Sequence, residues 1–420
     1  MIALLLLCGA QQADASSPAD IVKESRQLQR EALEAFTAKD WPRLLEPARR
    51  ASELRPQHMG LLTLRAAAEA LAGNREAALA ALVRLAEAGY VVDVAAEYDF
   101  GVLAQDESFL KLAERLRQNG ATLVASREAL VLCDETFCAE GVAFDARDQA
   151  IYLGSFTDGR ILRCAGVGEA RTEEAFASTA AHGLAAAYGM AVDAERRLLW
   201  VCAGAALGKP GAEDRGALLA FDLMDGSLQR AVRGGPSDPR MLGDLVLAAD
   251  GAVYATDPVG GAIVRLAPGA EAFTIILPAG HLISPQGLVL LPARARETPQ
   301  LVVADYACGL FSMLCDGSAL PRPLSIPNGA SLLGVDGLLI HDGALIAIQN
   351  GMSPVRVVRL ELDESRQRVT AIRILESAHP RYGEPTLGTI TGDALLYLAN
   401  APWEDQEKHP PALLLELPSR

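Results

Sequence analysis

The sequence predicts a mainly β fold, a six-bladed β-propeller with an N-terminal α-helical domain of tetratricopeptide-like character, over 420 residues. Three observations carry this. Between Glu140 and Trp403 one short phrase recurs six times: a turn residue and usually Gly, an apolar run, often a Gly or Asp turn, then a second apolar run. An internal repeat of about 40–50 residues built from short strands is the signature of a propeller. From about Asp20 to Asn119 the chain is a different material, with Ala, Leu and charged residues at helical spacing. Finally, strand-like runs flank the repeats at Ala129–Leu132 and Ala412–Leu417, where they can meet to close the ring and remove two exposed edges.

In chain order, residues 1–18 read as a clipped signal peptide. Met1–Ala10 is apolar but shorter than the about 20 residues a bilayer span needs, and Ala13 and Ala15 make an Ala-x-Ala cleavage point. The expectation is a periplasmic or secreted protein without a membrane span, and a cytoplasmic one if the missing positive n-region means no export. Leu7 before Cys8 departs from the small-residue pattern of lipoprotein signals.

Residues 19–120 form the helical domain. Asp40-Trp41, Leu44, Ala48 and Ala51 align with Asn74-Arg75, Ala78, Leu82 and Leu85 at an offset of 34 residues, with Pro56 opening the next helix. This resembles tetratricopeptide repeats. Two copies are fewer than the three or so that stand alone, so Tyr98–Leu112 is expected to cap the stack with a helical turn and a helix. The domain is read mainly as an appendage packing on the propeller, with a groove for a protein partner as the alternative. Gln118-Asn119-Gly120 marks the boundary.

The propeller spans 125–420. Its phrases begin at Glu140-Gly141, Tyr188-Gly189, Gly243-Asp244, Gln286-Gly287, Asp336-Gly337 and Leu387-Gly388, and each continues into four- or five-residue runs rich in β-branched and aromatic side chains.

Composition narrows the function. Half the residues are apolar and 22% are charged, which suits more than one packed core. The net charge of −15, without a basic cluster, excludes nucleic acid as a partner. Seven cysteines include Cys133 with Cys138 and Cys308 with Cys315, pairs that could close disulfides after export; buried thiols are the alternative, and zinc-finger spacing is absent. Serine-hydrolase elbow, phosphate loop, His-Glu-x-x-His and dinucleotide motifs are all missing.

Residues of about 125–405 resemble the senescence marker protein/gluconolactonase superfamily of six-bladed propellers, which is itself similar to strictosidine-synthase-like and paraoxonase-like propellers. The resemblance rests on Glu140–Asp145, Met190–Trp200, Val253–Asp257, Ala304–Tyr306 and Val335–Leu338. It implies that the residues beginning each inner strand converge at the mouth of the central channel. It further implies a divalent metal, calcium above all, held by Glu140, Gln286 and Asp336, with magnesium or manganese chemically acceptable. Gln286 stands where the family has Asn, one methylene shorter, and Gly243 stands where it has another Asn, so a substrate or metal contact is missing there unless Asp244 turns in to replace it. The activity implied is hydrolysis of a small lactone or ester, with Asp336 as the catalytic carboxylate and Glu140 as anchor.

Further polar residues at strand ends, Asp305, Tyr306, Asn350 and Glu384, join Asp244 as candidate substrate contacts, the competing role being turn capping. His182 and His281 precede blades and are read as structural. Two function classes stand: a metal-dependent lactonase or esterase, and a non-catalytic binding propeller with a degenerate site.

Overall fold

The computed structural model describes residues 17–418 except 167–170, 207–214, 236–238, 240 and 295–296. The signal-peptide reading of 1–18 and Cys8 therefore fall almost wholly outside the described residues.

Six four-stranded antiparallel sheets form the blades. Blade 1 comprises Ala139–Asp145, Ala150–Ser155, Arg160–Ala165 and Thr172–Ser178; blade 2 Ala186–Asp193, Leu198–Gly204, Ala217–Asp222 and Leu228–Arg233; blade 3 Leu245–Leu247, Val253–Asp257, Ala262–Leu266 and Thr274–Leu277. Blade 4 comprises Pro285–Leu290, Gln300–Asp305, Gly309–Leu314 and Arg322–Pro323, and blade 5 Val335–His341, Ala344–Gln349, Arg356–Leu362 and Val369–Ser377. Blade 6 takes Gly388–Thr391, Ala394–Leu398 and Leu413–Pro418 from the end of the chain and Arg127–Val131 from before blade 1. The first strands of successive blades touch all the way round, Gly388–Thr391 meeting Ala139–Asp145. The expected closure is thus present: Arg127 pairs with Glu416 and Val131 with Leu413.

The recurring residue-Gly phrase has a structural cause that differs from the turn it suggests. In four blades it lies inside the first strand, at a break in the ladder: between Ala139 and Gly141, Ala187 and Met190, Pro285 and Leu288, and Val335 and Leu338. A bulge of this kind releases one residue from pairing and re-aims its side chain. Glu140, Tyr188, Gln286 and Asp336 are the residues released. The following glycine lets the next blade approach: a Cβ on Gly141 would stand 2.0 Å from the Tyr188 carbonyl oxygen, and one on Gly287 2.6 Å from that of Asp336. No side chain fits at such distances. The phrase therefore encodes both blade-to-blade packing and the direction of the mouth residues.

The helical part contains α1 (Pro18–Thr37), α2 (Trp41–Leu54), α3 (Met59–Leu71), α4 (Arg75–Glu87), the short α5 (Val94–Glu97), a 3₁₀ turn at Gly101–Gln105 and α6 (Glu107–Gln118). Helices α1 and α2 pack as one antiparallel pair and α3 and α4 as the next. Asp40 caps α2 through its side chain, and Asn74, at the equivalent position of α4, turns its amide to Glu69 instead. Glu69 is wholly buried and accepts two 2.7 Å bonds from Arg49, joining α2 to α3. The 3₁₀ turn and α6 form the cap expected over Tyr98–Leu112.

The helices lean on loops of blades 4 and 5. Ser331 donates to the Gln57 carbonyl at 2.8 Å, Arg55 to the Ala307 carbonyl at 2.8 Å, and the Val91 N–H to the Ser353 carbonyl at 2.8 Å. Arg356, 3% exposed, donates to Gln349 Oε1, the Ala88 carbonyl and the Ser331 carbonyl. Met352 of blade 5 belongs to the core of the helices. These loops all lie at the end of the propeller where the first strands begin, so the helices stand beside the channel mouth. The chain between the two parts is pinned by buried Glu376, which accepts the Ala125 and Ser126 N–H groups, the Ser126 hydroxyl and the Tyr382 and Tyr397 hydroxyls. None of the described helices is long and apolar enough to cross a membrane.

Among the described residues, Cys133, Cys138, Cys164, Cys202, Cys308 and Cys315 form no disulfide, so the two pairings considered from sequence are not made. Cys138 instead places its Sγ 3.5 Å from His409 Nε2.

Candidate functional site at the channel mouth

A cavity of about 430 Å³ opens at the mouth. Its lining includes Glu140 of blade 1, Tyr188 of blade 2, Asp244 before the first strand of blade 3, Gln286 and Tyr306 of blade 4, Asp336 of blade 5 and Glu384 before blade 6. Residues from all six blades thus meet, as the channel-mouth expectation requires.

Glu140 is 6% exposed and held on one side: the Thr386 hydroxyl and the Trp403 indole N–H each donate to its Oε2 at 3.0 Å. Trp403 stacks on Phe156 with ring centroids 4.1 Å apart, which fixes the donor. Asp336 accepts a 2.8 Å bond from Asn350 Nδ2, which also donates to the Pro385 carbonyl at 3.0 Å. Asn350 Oδ1 is buried without a hydrogen-bond partner. Asp244 lines the cavity, its Oδ1 accepting the N–H of its neighbour Leu245 at 2.8 Å. Gln286 donates Nε2 to Ser284 at 3.0 Å, leaving its amide oxygen for another partner.

Electrostatics make this cavity unusual. Four carboxyls line it, and among the described residues no Lys, Arg or His does. Burial, then the charge of Asp336, pushes Glu140 well above the usual carboxylate range. Burial likewise pushes Asp244 and Asp336 up to about 7, with Asp336 acting on the former and Glu384 on the latter. Glu384 is raised by burial and by Glu404. Such a cluster is relieved by protons or by a bound cation.

Two sequence readings are corrected. Asp305 is wholly buried outside the cavity; its Oδ2 accepts the Ile283 and Ser284 N–H groups and its Oδ1 those of Ala307 and Cys308, so it caps a turn and contacts no substrate. Asn350 does not line this cavity either, and acts by holding Asp336. The position left bare by Gly243 is filled from elsewhere, since a Cβ there would meet the Pro258 ring at 3.0 Å, and Pro258 lines the cavity. His182 and His281 lie away from it, as read. Thr386, Trp403 and Pro258 were missed. Thr386 falls within Glu384–Gly388, the segment expected to supply the sixth blade's contribution, but nothing local in the sequence marks Trp403 as a donor to Glu140.

The donor set is hard oxygen throughout, four carboxylates and the Gln286 amide carbonyl. That set suits calcium and disfavours zinc, which takes nitrogen and sulfur. Among the described residues no group of three or more His, Cys, Asp or Glu side chains is gathered closely enough to hold a metal ion. The fit is therefore two carboxylates completed by an amide oxygen and water.

No family model matches the sequence, and no curated protein matches it. Among solved structures the chain is similar to a gluconolactonase from Xanthomonas campestris (19% identity, 71% of this chain and 97% of that one, TM-score 0.48). It is similar also to a calcium-binding protein, regucalcin, from Agrobacterium tumefaciens (14%, 71% and 97%, 0.49) and to a PQQ-bound aldose sugar dehydrogenase from Streptomyces coelicolor (15%, 71% and 97%, 0.46).

Proposed function

We propose that the protein is a divalent-cation-dependent hydrolase of a small lactone or ester, working at the channel mouth with calcium as the favoured ion. The observation that carries this reading is the convergence of Glu140, Asp244, Asp336 and Glu384 on one cavity with no basic side chain among the described residues that line it. Glu140, Asp336 and the amide oxygen of Gln286 would hold the ion. When bound, the ion supplies polarisation of the substrate carbonyl and a counter-charge for the oxyanion that develops on it.

The chain's own groups account for the rest. Trp403 and Thr386 both bond Glu140 Oε2, which fixes the carboxylate plane and leaves Oε1 toward the cavity. Asn350 orients Asp336, the carboxylate we assign to take a proton from an attacking water. Tyr188, Met241, Pro258 and Leu387 supply apolar walls for the substrate body. The cavity of about 430 Å³ is of small-molecule size.

A screen of γ- and δ-lactones and short-chain p-nitrophenyl esters with calcium, and again with EDTA, tests this. Turnover with calcium that EDTA abolishes and added calcium restores is expected; turnover indifferent to EDTA would remove the cation from the account.

A further inference from the structure

Beside the acidic cavity lies a second one of opposite character. It measures about 340 Å³, and its lining takes in Arg26 of α1, Arg55 and Gln57 after α2, His58 at the start of α3, Tyr90 after α4 and Tyr306 of the propeller. Tyr306 lines both cavities, so they adjoin at that residue. Among the described residues no Asp or Glu lines the second and no basic residue lines the first.

The two arginines are left over from the packing of the helices. Arg356, at the same junction, satisfies its guanidinium with Gln349, Ala88 and Ser331. Arg55 spends one Nη2 bond on the Ala307 carbonyl, and among the described residues neither Arg55 nor Arg26 forms an ion pair. Asp305 acts on Arg55 only through space, both its oxygens being occupied by backbone N–H groups. A half-buried guanidinium with unused donors is costly to keep unless something binds it. His58 accepts the Leu61 N–H through Nδ1, and burial beside Arg55 and Arg26 lowers its pKa to about 4. The neutral ring then carries its proton on Nε2, a further donor.

We propose that the helical domain binds an anionic group, a carboxylate or phosphate, on the far side of the same substrate whose lactone or ester carbonyl sits in the acidic mouth. This rests on the hydrolase reading for the reacting end, but the anion site itself does not. It gives the helices a part in substrate selection: Arg26 and Arg55 attract the anionic end, while the acidic cavity without its cation repels it, so charge alone sets which way round a substrate enters. Arginine is the fitting residue, because its planar fork of donors matches an oxyanion.

Two measurements test this and fail independently of each other. With calcium present, p-nitrophenyl monoesters of succinate, glutarate, adipate and pimelate are compared with neutral esters of the same chain length. At least one charged ester is expected to have a kcat/KM about ten-fold above its neutral counterpart, and Arg26→Ala and Arg55→Gln are each expected to bring that ratio close to one by raising KM for the charged ester. Arg26, exposed and free of structural bonds, guards against a folding defect in the Arg55 variant. Separately, adipate and inorganic phosphate are titrated calorimetrically into the parent and both variants in EDTA. Binding of either anion in the parent, weakened about ten-fold or more in both variants, upholds the site even if no ester is turned over, and the stronger of the two identifies its chemistry. No binding in the parent, or binding indifferent to both substitutions, overturns it whatever the hydrolysis screen shows.

Discussion

Asp336→Asn is expected to make the metal-free protein more stable at pH 8 and to reduce hydrolysis by about a hundred-fold or more. Burial is the main reason the Asp336 pKa rises to about 7, with the Glu384 charge adding to it and the Asn350 hydrogen bond opposing it. The folded chain therefore holds a proton that the unfolded chain has already released above pH 4. Folded protein binding more protons means that stability falls as pH rises between about 4 and 7, and the penalty is complete at pH 8. Asparagine keeps an acceptor for Asn350 and carries no charge, so the variant is expected to gain roughly 1–3 kcal/mol at pH 8 and nothing at pH 3.5. Denaturant unfolding in EDTA at the two pH values reads this directly. A variant less stable than the parent at pH 8 would mean that Asp336 is a structural carboxylate already balanced by its surroundings. A gain in stability paired with a loss of activity is the usual mark of a group kept for function.

Truncation after Pro411 is expected to abolish cooperative folding of the propeller. The strand removed, Leu413–Pro418, sits between Ala394–Leu398 and Arg127–Val131 in blade 6, so its loss strands the closing strand and opens two edges in the ring. Leu413, Leu414, Leu415 and Leu417 are each 2% exposed or less. At about 1.5–3 kcal/mol for each buried leucine, the loss reaches roughly 6–12 kcal/mol, which matches the whole stability of an ordinary domain. Leu414→Ala, costing about 2–5 kcal/mol, should lower the melting temperature while leaving the transition intact. A truncated chain that melts with the parent's midpoint would show that the ring does not depend on this closure.

The architecture was legible because it repeats. A turn residue and usually Gly followed by two apolar runs appears six times, and the physical demand behind it in four blades, a bulge that turns one side chain inward and a glycine that admits the neighbouring blade, is local enough to leave a mark on the sequence. Glu140, Gln286 and Asp336 could therefore be placed at the mouth by their position in the phrase. Asp305 was misread because an Asp at a strand end has the same sequence whether it faces a ligand or caps a turn; only the four N–H groups around it decide. Trp403 and Pro258 were missed for the opposite reason. Trp403 comes from a loop of blade 6 to serve Glu140 of blade 1 across 263 positions of sequence, and Pro258 comes from a turn of blade 3 to fill the space that Gly243 leaves at the start of the same blade. The basic cavity is a case of the same kind: Arg26, Arg55 and His58 look like ordinary helix-surface residues until the helices are set against blades 4 and 5.

The central claim is that the acidic mouth binds a divalent cation, and calorimetric titration of calcium into EDTA-stripped parent and Glu140→Gln proteins tests it most directly. Glu140 has its Oε2 held by Trp403 and Thr386, and glutamine keeps the shape of the side chain while removing its charge. The expected result is binding at one site in the parent, with about 2.7 kcal/mol of added thermal stability at a calcium concentration a hundred times the dissociation constant, and binding at least ten-fold weaker in the variant. A parent that takes up no calcium, magnesium or manganese, or a variant that binds as tightly as the parent, would contradict the account.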